Sequence, residues 1–93
     1  MQFDVKIRRI INDNTAVKAI ASVTVEDALA IHNVRVIESG GTRFIAMPYS
    51  KHKDRYGNEI RRDLVHPISS EVRKALEAAV FSAYEQKISE KAQ

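Results

Sequence analysis

The sequence predicts an α+β fold, an antiparallel sheet of about five strands with one carboxy-terminal helix packed on it. Three observations predict it. Apolar and polar residues alternate through much of the first half of the chain, the period of a strand with one buried face. Turn-forming residues interrupt the alternation at short intervals, so the strands return antiparallel, and the crossovers that parallel strands need have no room. From Val72 onward the spacing changes to three and four, the signature of one face of a helix. At 93 residues the chain holds a single core, so residues 1–93 are expected to form one domain.

Taken in order, Phe3, Val5 and Ile7 alternate with Asp4, Lys6 and Arg8, which predicts a first strand from Phe3 to Ile10. Asn12-Asp13-Asn14-Thr15 then supplies side chains that bond their own backbone, a turn. Val17, Ala19, Ala21, Val23 and Val25 fill one face of a second strand, with Lys18, Ser22 and Thr24 mostly on the other. Glu26-Asp27 breaks the run. Leu29 to Ile37 reads as a third strand ending at Ser39-Gly40-Gly41, where glycine permits positive φ.

A short fourth strand, Arg43 to Met47, stops at Pro48, which has no amide hydrogen for a ladder. Tyr56-Gly57-Asn58 is a turn signal, and Glu59 to Val65 returns as a fifth strand before His66-Pro67. In the last segment Val72, Leu76, Ala79, Val80, Ala83 and Tyr84 form the apolar stripe of the helix. Ser69 or Ser70 caps it, Glu71 suits the positive end of its dipole, and Lys87 and Lys91 suit the negative end.

Composition excludes several classes of function. With no cysteine, the chain has no disulfide framework, thiolate metal site or cysteine nucleophile. It shows neither a signal-peptide stretch nor an apolar run of membrane-spanning length, so a cytoplasmic protein without a membrane partner is expected. Ser69-Ser70 are explained by capping, and Gly40-Gly41 lacks the spacing and lysine of a phosphate loop. His32, His52 and His66 fall on separate elements and read as a packed, an exposed and a strand-terminating histidine. No enzyme, cofactor, metal or small-molecule substrate is expected.

The net charge is +3, and its placement matters more than its size. Residues 49–62 hold Lys51, Lys53, Arg55, Arg61 and Arg62 against Asp54 and Glu59, while the rest of the chain carries equal numbers of acidic and basic groups. All the excess lies along one hairpin arm. Such an arm can gather phosphates by releasing counterions, with Tyr49 and Tyr56 available to stack on unpaired bases, or it can simply be solvated.

Four blocks in order, KAIASVTV at Lys18 to Val25, AIHNVRVIE at Ala30 to Glu38, FIAMP at Phe44 to Pro48 and DLVHPI at Asp63 to Ile68, resemble the pattern of the SpoVG family. The likeness runs from Val5-Lys6-Ile7-Arg8-Arg9 into the final helix, although the segment between Pro48 and Asp63 is longer than the family's usual arm. The resemblance implies a sheet with a carboxy-terminal helix, a homodimer joined partly through strands, and roles in sporulation, septation and gene regulation through DNA or RNA binding. It also implies nucleic-acid contact by basic residues after the AMP block, where Lys51 matches best and Lys53, Arg55, Arg61 and Arg62 continue the arm. The competing reading is a protein-interaction module in septum control, using a strand edge or the Phe81 and Ile88 face of the helix.

Overall fold

The computed structural model describes residues 1–92 and their side chains through Glu90; the Lys91 side chain lies outside the described residues. Four strands form one antiparallel sheet in chain order: β1 (Phe3–Ile10), β2 (Val17–Val25), β3 (Leu29–Ser39) and β4 (Thr42–Ala46). β5 (Tyr49–Lys53) and β6 (Glu59–Asp63) form a separate two-stranded ribbon, and α1 (Ser70–Ala92) completes the chain.

The α+β class, with antiparallel strands and a carboxy-terminal helix packed on them, is as expected; the strands number six in two sheets rather than about five in one. Pro48 stops β4, but the chain resumes at once as β5, which pairs only with β6. The returning strand is also shorter than predicted, ending at Asp63 rather than Val65.

Two of the turns in the sheet use the same backbone form at different cost. Gly40 and Gly41 have φ of 58° and 81°, which glycine adopts freely, and they let β3 return tightly as β4. Glu26 and Asp27, between β2 and β3, take φ of 53° and 54° with Cβ atoms present, a strained choice for L-residues. Part of that cost is offset by hydrogen bonds: Ala28 N donates to Val25 O at 3.0 Å, and Glu26 N to Gln2 O at 2.9 Å.

One face of the four-stranded sheet is covered by α1. Ala19, Val23, Val34, Val36, Ile45 and Met47 pack there against Leu76, Val80 and Tyr84, all buried. Burying each of the larger side chains contributes about 1.5–3 kcal/mol. Phe81 and Ile88 pack against the same cluster, which turns the helix face considered for a partner into part of the core. Ser69 is the cap: its Oγ accepts from Val72 N at 3.1 Å.

Three register shifts interrupt the ladders: at Arg8 in β1, at Lys18 in β2, and where Ser22 faces His32 and Asn33. A bulge puts two consecutive residues opposite one, so side chains are re-aimed. Lys18 is thereby moved from the face the alternation predicts to the helix side, beside Glu38 and Phe81. Arg8 and Arg9 both fall on the face that α1 leaves open, as do His32 and Asn33, the latter at φ 62°.

Leu76→Ala should destabilise the fold by about 2–5 kcal/mol, and Ser69→Ala by about 1 kcal/mol. Urea unfolding followed by circular dichroism measures both, and equal losses would contradict the core placed here.

Candidate nucleic-acid interface

The arm is a two-stranded ribbon against which, among the described residues, no other element of the fold packs its backbone. Its tip is tied by Asp54, whose Oδ1 accepts from Tyr56 N and Asn58 N, each at 2.9 Å. Asp54 N donates to Asn58 O at 3.0 Å and Gly57 N to Asp54 O at 3.1 Å, with Gly57 at φ 80°. Asp54 is thus spent on the turn. Arg55 and Tyr56 stand exposed at the tip.

Strand alternation divides the five basic residues. The register pairs Tyr49 with Asp63, Lys51 with Arg61 and Lys53 with Glu59, so these six share one face. Ser50 with Arg62 and His52 with Ile60 occupy the other. Lys51, Lys53 and Arg61 therefore come together, whereas Arg62 and Arg55 point elsewhere. The clustered face also holds two carboxylates, and Lys51 Nζ lies 3.4 Å from Glu59 Oε1. Both partners are more than half exposed, so that ion pair is weak.

At the root of the ribbon Tyr49 organises a cationic stack that the sequence did not reveal. Arg61 sits over its ring at 4.0 Å, Arg35 of β3 at 4.6 Å and Lys51 at 6.0 Å. Arg35 Nη2 donates to Met47 O at 3.1 Å, which fixes the guanidinium where sheet and ribbon meet. These cations, Arg35 first and then Arg61 and Lys51, hold the Tyr49 hydroxyl below the usual phenol range. Tyr84 behaves oppositely, since burial pushes its hydroxyl up.

Arg35 belongs to the open face of the sheet. The register sets Arg9, Ile20 and Arg35 in a row across β1, β2 and β3, and Lys6 opposite Ser22. Ser22, the buried polar residue, accepts from Arg8 Nε at 3.1 Å, and its Oγ lies 2.9 Å from His32 Nδ1. His32 is exposed rather than packed, and the bulge that pairs it with Ser22 explains this. His52 is exposed as expected, and His66 lies beyond β6 on the link to α1 instead of ending a strand. The signal that could have found Arg35 is its place in VRVIE, where period two puts it opposite the buried Val34 and Val36.

Among the described residues no group of His, Asp or Glu could hold a metal ion, and no helix is long and apolar enough to cross a membrane.

A small α+β protein with a cationic ribbon standing off a helix-backed sheet is the class that these features define. The pattern of the SpoVG family matches residues 1–86, and the chain belongs to that family. It is 44% identical over 81 residues to the SpoVG of Finegoldia magna, covering 87% of this chain and 70% of the relative. It is 40% identical over 82 residues to that of Brevibacillus brevis, covering 88% and 81%, and 39% identical over 82 residues to that of Desulforudis audaxviator, covering 88% of each. The names of these relatives assign them provisionally to septation.

The tyrosines give a direct check on the stack. Ultraviolet titration should show Tyr49→Phe removing the lowest-pH part of the tyrosinate signal and Tyr84→Phe the highest. Loss of the same part in both variants would contradict the stack.

Proposed function

We propose that the protein is a cytoplasmic, homodimeric bacterial regulator of the SpoVG type that binds DNA or RNA through the β5–β6 ribbon and so influences septation, sporulation and gene expression. The observation that carries this is the projecting ribbon with exposed Lys51, Lys53 and Arg61 on one face, joined to Arg35 through Tyr49. Phosphates are the anions that repay such a surface, because each one neutralised releases counterions. A two-stranded ribbon also has the width to enter the major groove of a duplex. The regulatory role is carried over from the resemblance.

A second copy accounts for two further features. An isolated two-stranded hairpin is marginally stable in water, so this ribbon gains from a partner. Exposed apolar side chains gather beside its root: Met1, Leu29 and Ile68 line one groove, and Leu29 and Leu64 a neighbouring one. Ile68, 93% exposed, is costly to leave in water and suits an isologous contact.

Changing Lys51, Lys53 and Arg61 together to Glu should lower affinity for DNA and RNA by orders of magnitude while leaving the melting temperature nearly unchanged. The corresponding alanine variant should flatten the salt dependence by up to about 0.9 per lost contact on duplex DNA. Lys74→Glu is the control, since Lys74 stands exposed on α1. Unchanged affinity and salt slope in the ribbon variants would overturn the nucleic-acid reading.

Ile68→Glu with Leu64→Glu should convert a dimer to a folded monomer at micromolar concentration. Light scattering decides this, and a wild-type monomer or an unaffected dimer would refute the proposed contact.

A further inference from the structure

Resting on the nucleic-acid reading above, we infer that the binding surface continues from the ribbon across the helix-free face of the sheet, and that this face takes a single strand. The ribbon by itself is poorly polarised: with Asp63 included, its five cations stand against Asp54, Glu59 and Asp63. The open sheet face is more strongly charged, because the register and the bulge at Arg8 place Lys6, Arg8, Arg9 and Arg35 there with Asp4 as the accompanying carboxylate.

The two faces of the sheet treat their cations differently. On the helix side Arg43 is consumed: it bonds Glu38 at 3.1 Å and Glu85, and lies over the rings of Phe81 and Tyr84. On the open side, none of the ion pairs among the described residues uses Lys6, Arg8, Arg9 or Arg35. Two of these guanidiniums are held in place by neutral groups. Arg8 spends Nε on Ser22, and Arg35 spends Nη2 on Met47 O, which leaves their remaining N–H donors for a ligand. A guanidinium already positioned loses little freedom when it meets a phosphate.

Arg9 and Arg35 sit two strands apart, about 10 Å at the backbone. From Arg35 the positive charge passes over Tyr49 to Arg61 and Lys51 on the ribbon. The track is continuous.

Apolar side chains lie between the cations and decide the class of ligand. Ile20, Ile37 and Ala46 are half-buried on this face, and Phe44, which pairs with Ile37, is 41% exposed. A duplex keeps its base faces stacked inside and would leave these side chains unmatched. A single strand offers phosphates to the arginines and base faces to Phe44 and its aliphatic neighbours.

Fluorescence anisotropy tests this with labelled oligouridylate, oligothymidylate and a mixed-sequence duplex of equal length. Arg9→Gln with Arg35→Gln should weaken both single strands by about tenfold or more and flatten their salt dependence by about 1.4, two contacts at about 0.7 each. Phe44→Ala should weaken them by about fivefold to a hundredfold through lost stacking. Duplex affinity should change little in either case. Lys6→Gln with Arg9→Gln repeats the test without disturbing the Tyr49 stack, and thermal melting confirms the fold of each variant.

If the wild-type protein binds no probe, the nucleic-acid reading fails and takes this inference with it. If the ribbon variant loses all binding while the sheet-face variants keep single-strand affinity, the ribbon reading survives and the inference is overturned. Equal loss of duplex affinity in the sheet-face variants would overturn the single-strand assignment. A change of oligomeric mass in those variants would make this face a contact between copies and overturn it as well.

Discussion

The packing of Leu76, Val80 and Tyr84 onto Ala19, Val23, Val34, Val36 and Ile45 sets the character of every other surface in this protein. Once α1 covers one side of a four-stranded sheet, the two-residue period of the strands sends the intervening side chains to the other side. The core therefore decides where the charges go. Arg43 falls on the covered side and meets Glu38 and Glu85, which raise its pKa further, Glu85 foremost. Lys6, Arg8 and Arg35 fall on the open side, where the bulge adds Arg9.

The ribbon obeys the same periodicity without a core to enforce it. Among the described residues no other element packs its backbone against it, so its shape depends on local devices: the Asp54 turn at the tip and the Tyr49 stack at the root. The stack links ribbon to sheet through Arg35, which makes the angle between two cationic surfaces a matter of one tyrosine and two guanidiniums. Bound phosphates would compete with the ring for those guanidiniums, a coupling that a simple solvated loop would lack.

Much of the architecture was legible in the sequence because burial imposes periods. The limits of β1 and β2 follow from the alternation at Phe3–Ile10 and Val17–Val25, and a cap at Ser69 or Ser70 and the Leu76-Val80-Tyr84 stripe follow from helix geometry, the structure choosing Ser69. The hairpin arm was visible from Tyr56-Gly57-Asn58, but its separation from the main sheet was not, since nothing in YSKHK tells which strand it will pair with. The candidate site was legible only in part. Counting charge along the chain singles out residues 49–62, whereas Arg8, Arg9 and Arg35 are scattered among acidic residues in sequence and gathered only by the register. The bulges at Arg8 and Lys18 are equally silent: each adds one residue to a ladder, which no local pattern announces, and the first moves Arg9 and the second Lys18 to the face that simple alternation denies it. His32 went astray for the same reason, since its exposure depends on the bulge opposite Ser22.

The central claim is that the core, by covering one face, leaves a cationic platform on the other that works together with the ribbon. Chemical-shift mapping of the isotopically labelled protein against a single-stranded oligonucleotide tests this most directly. Amide and arginine side-chain signals of Arg8, Arg9, Arg35, Phe44, Lys51 and Arg61 should move together along one titration curve, while Lys74, Ala78 and Ser82, exposed on α1, stay still. Shifts confined to the ribbon, or centred on α1, would contradict it.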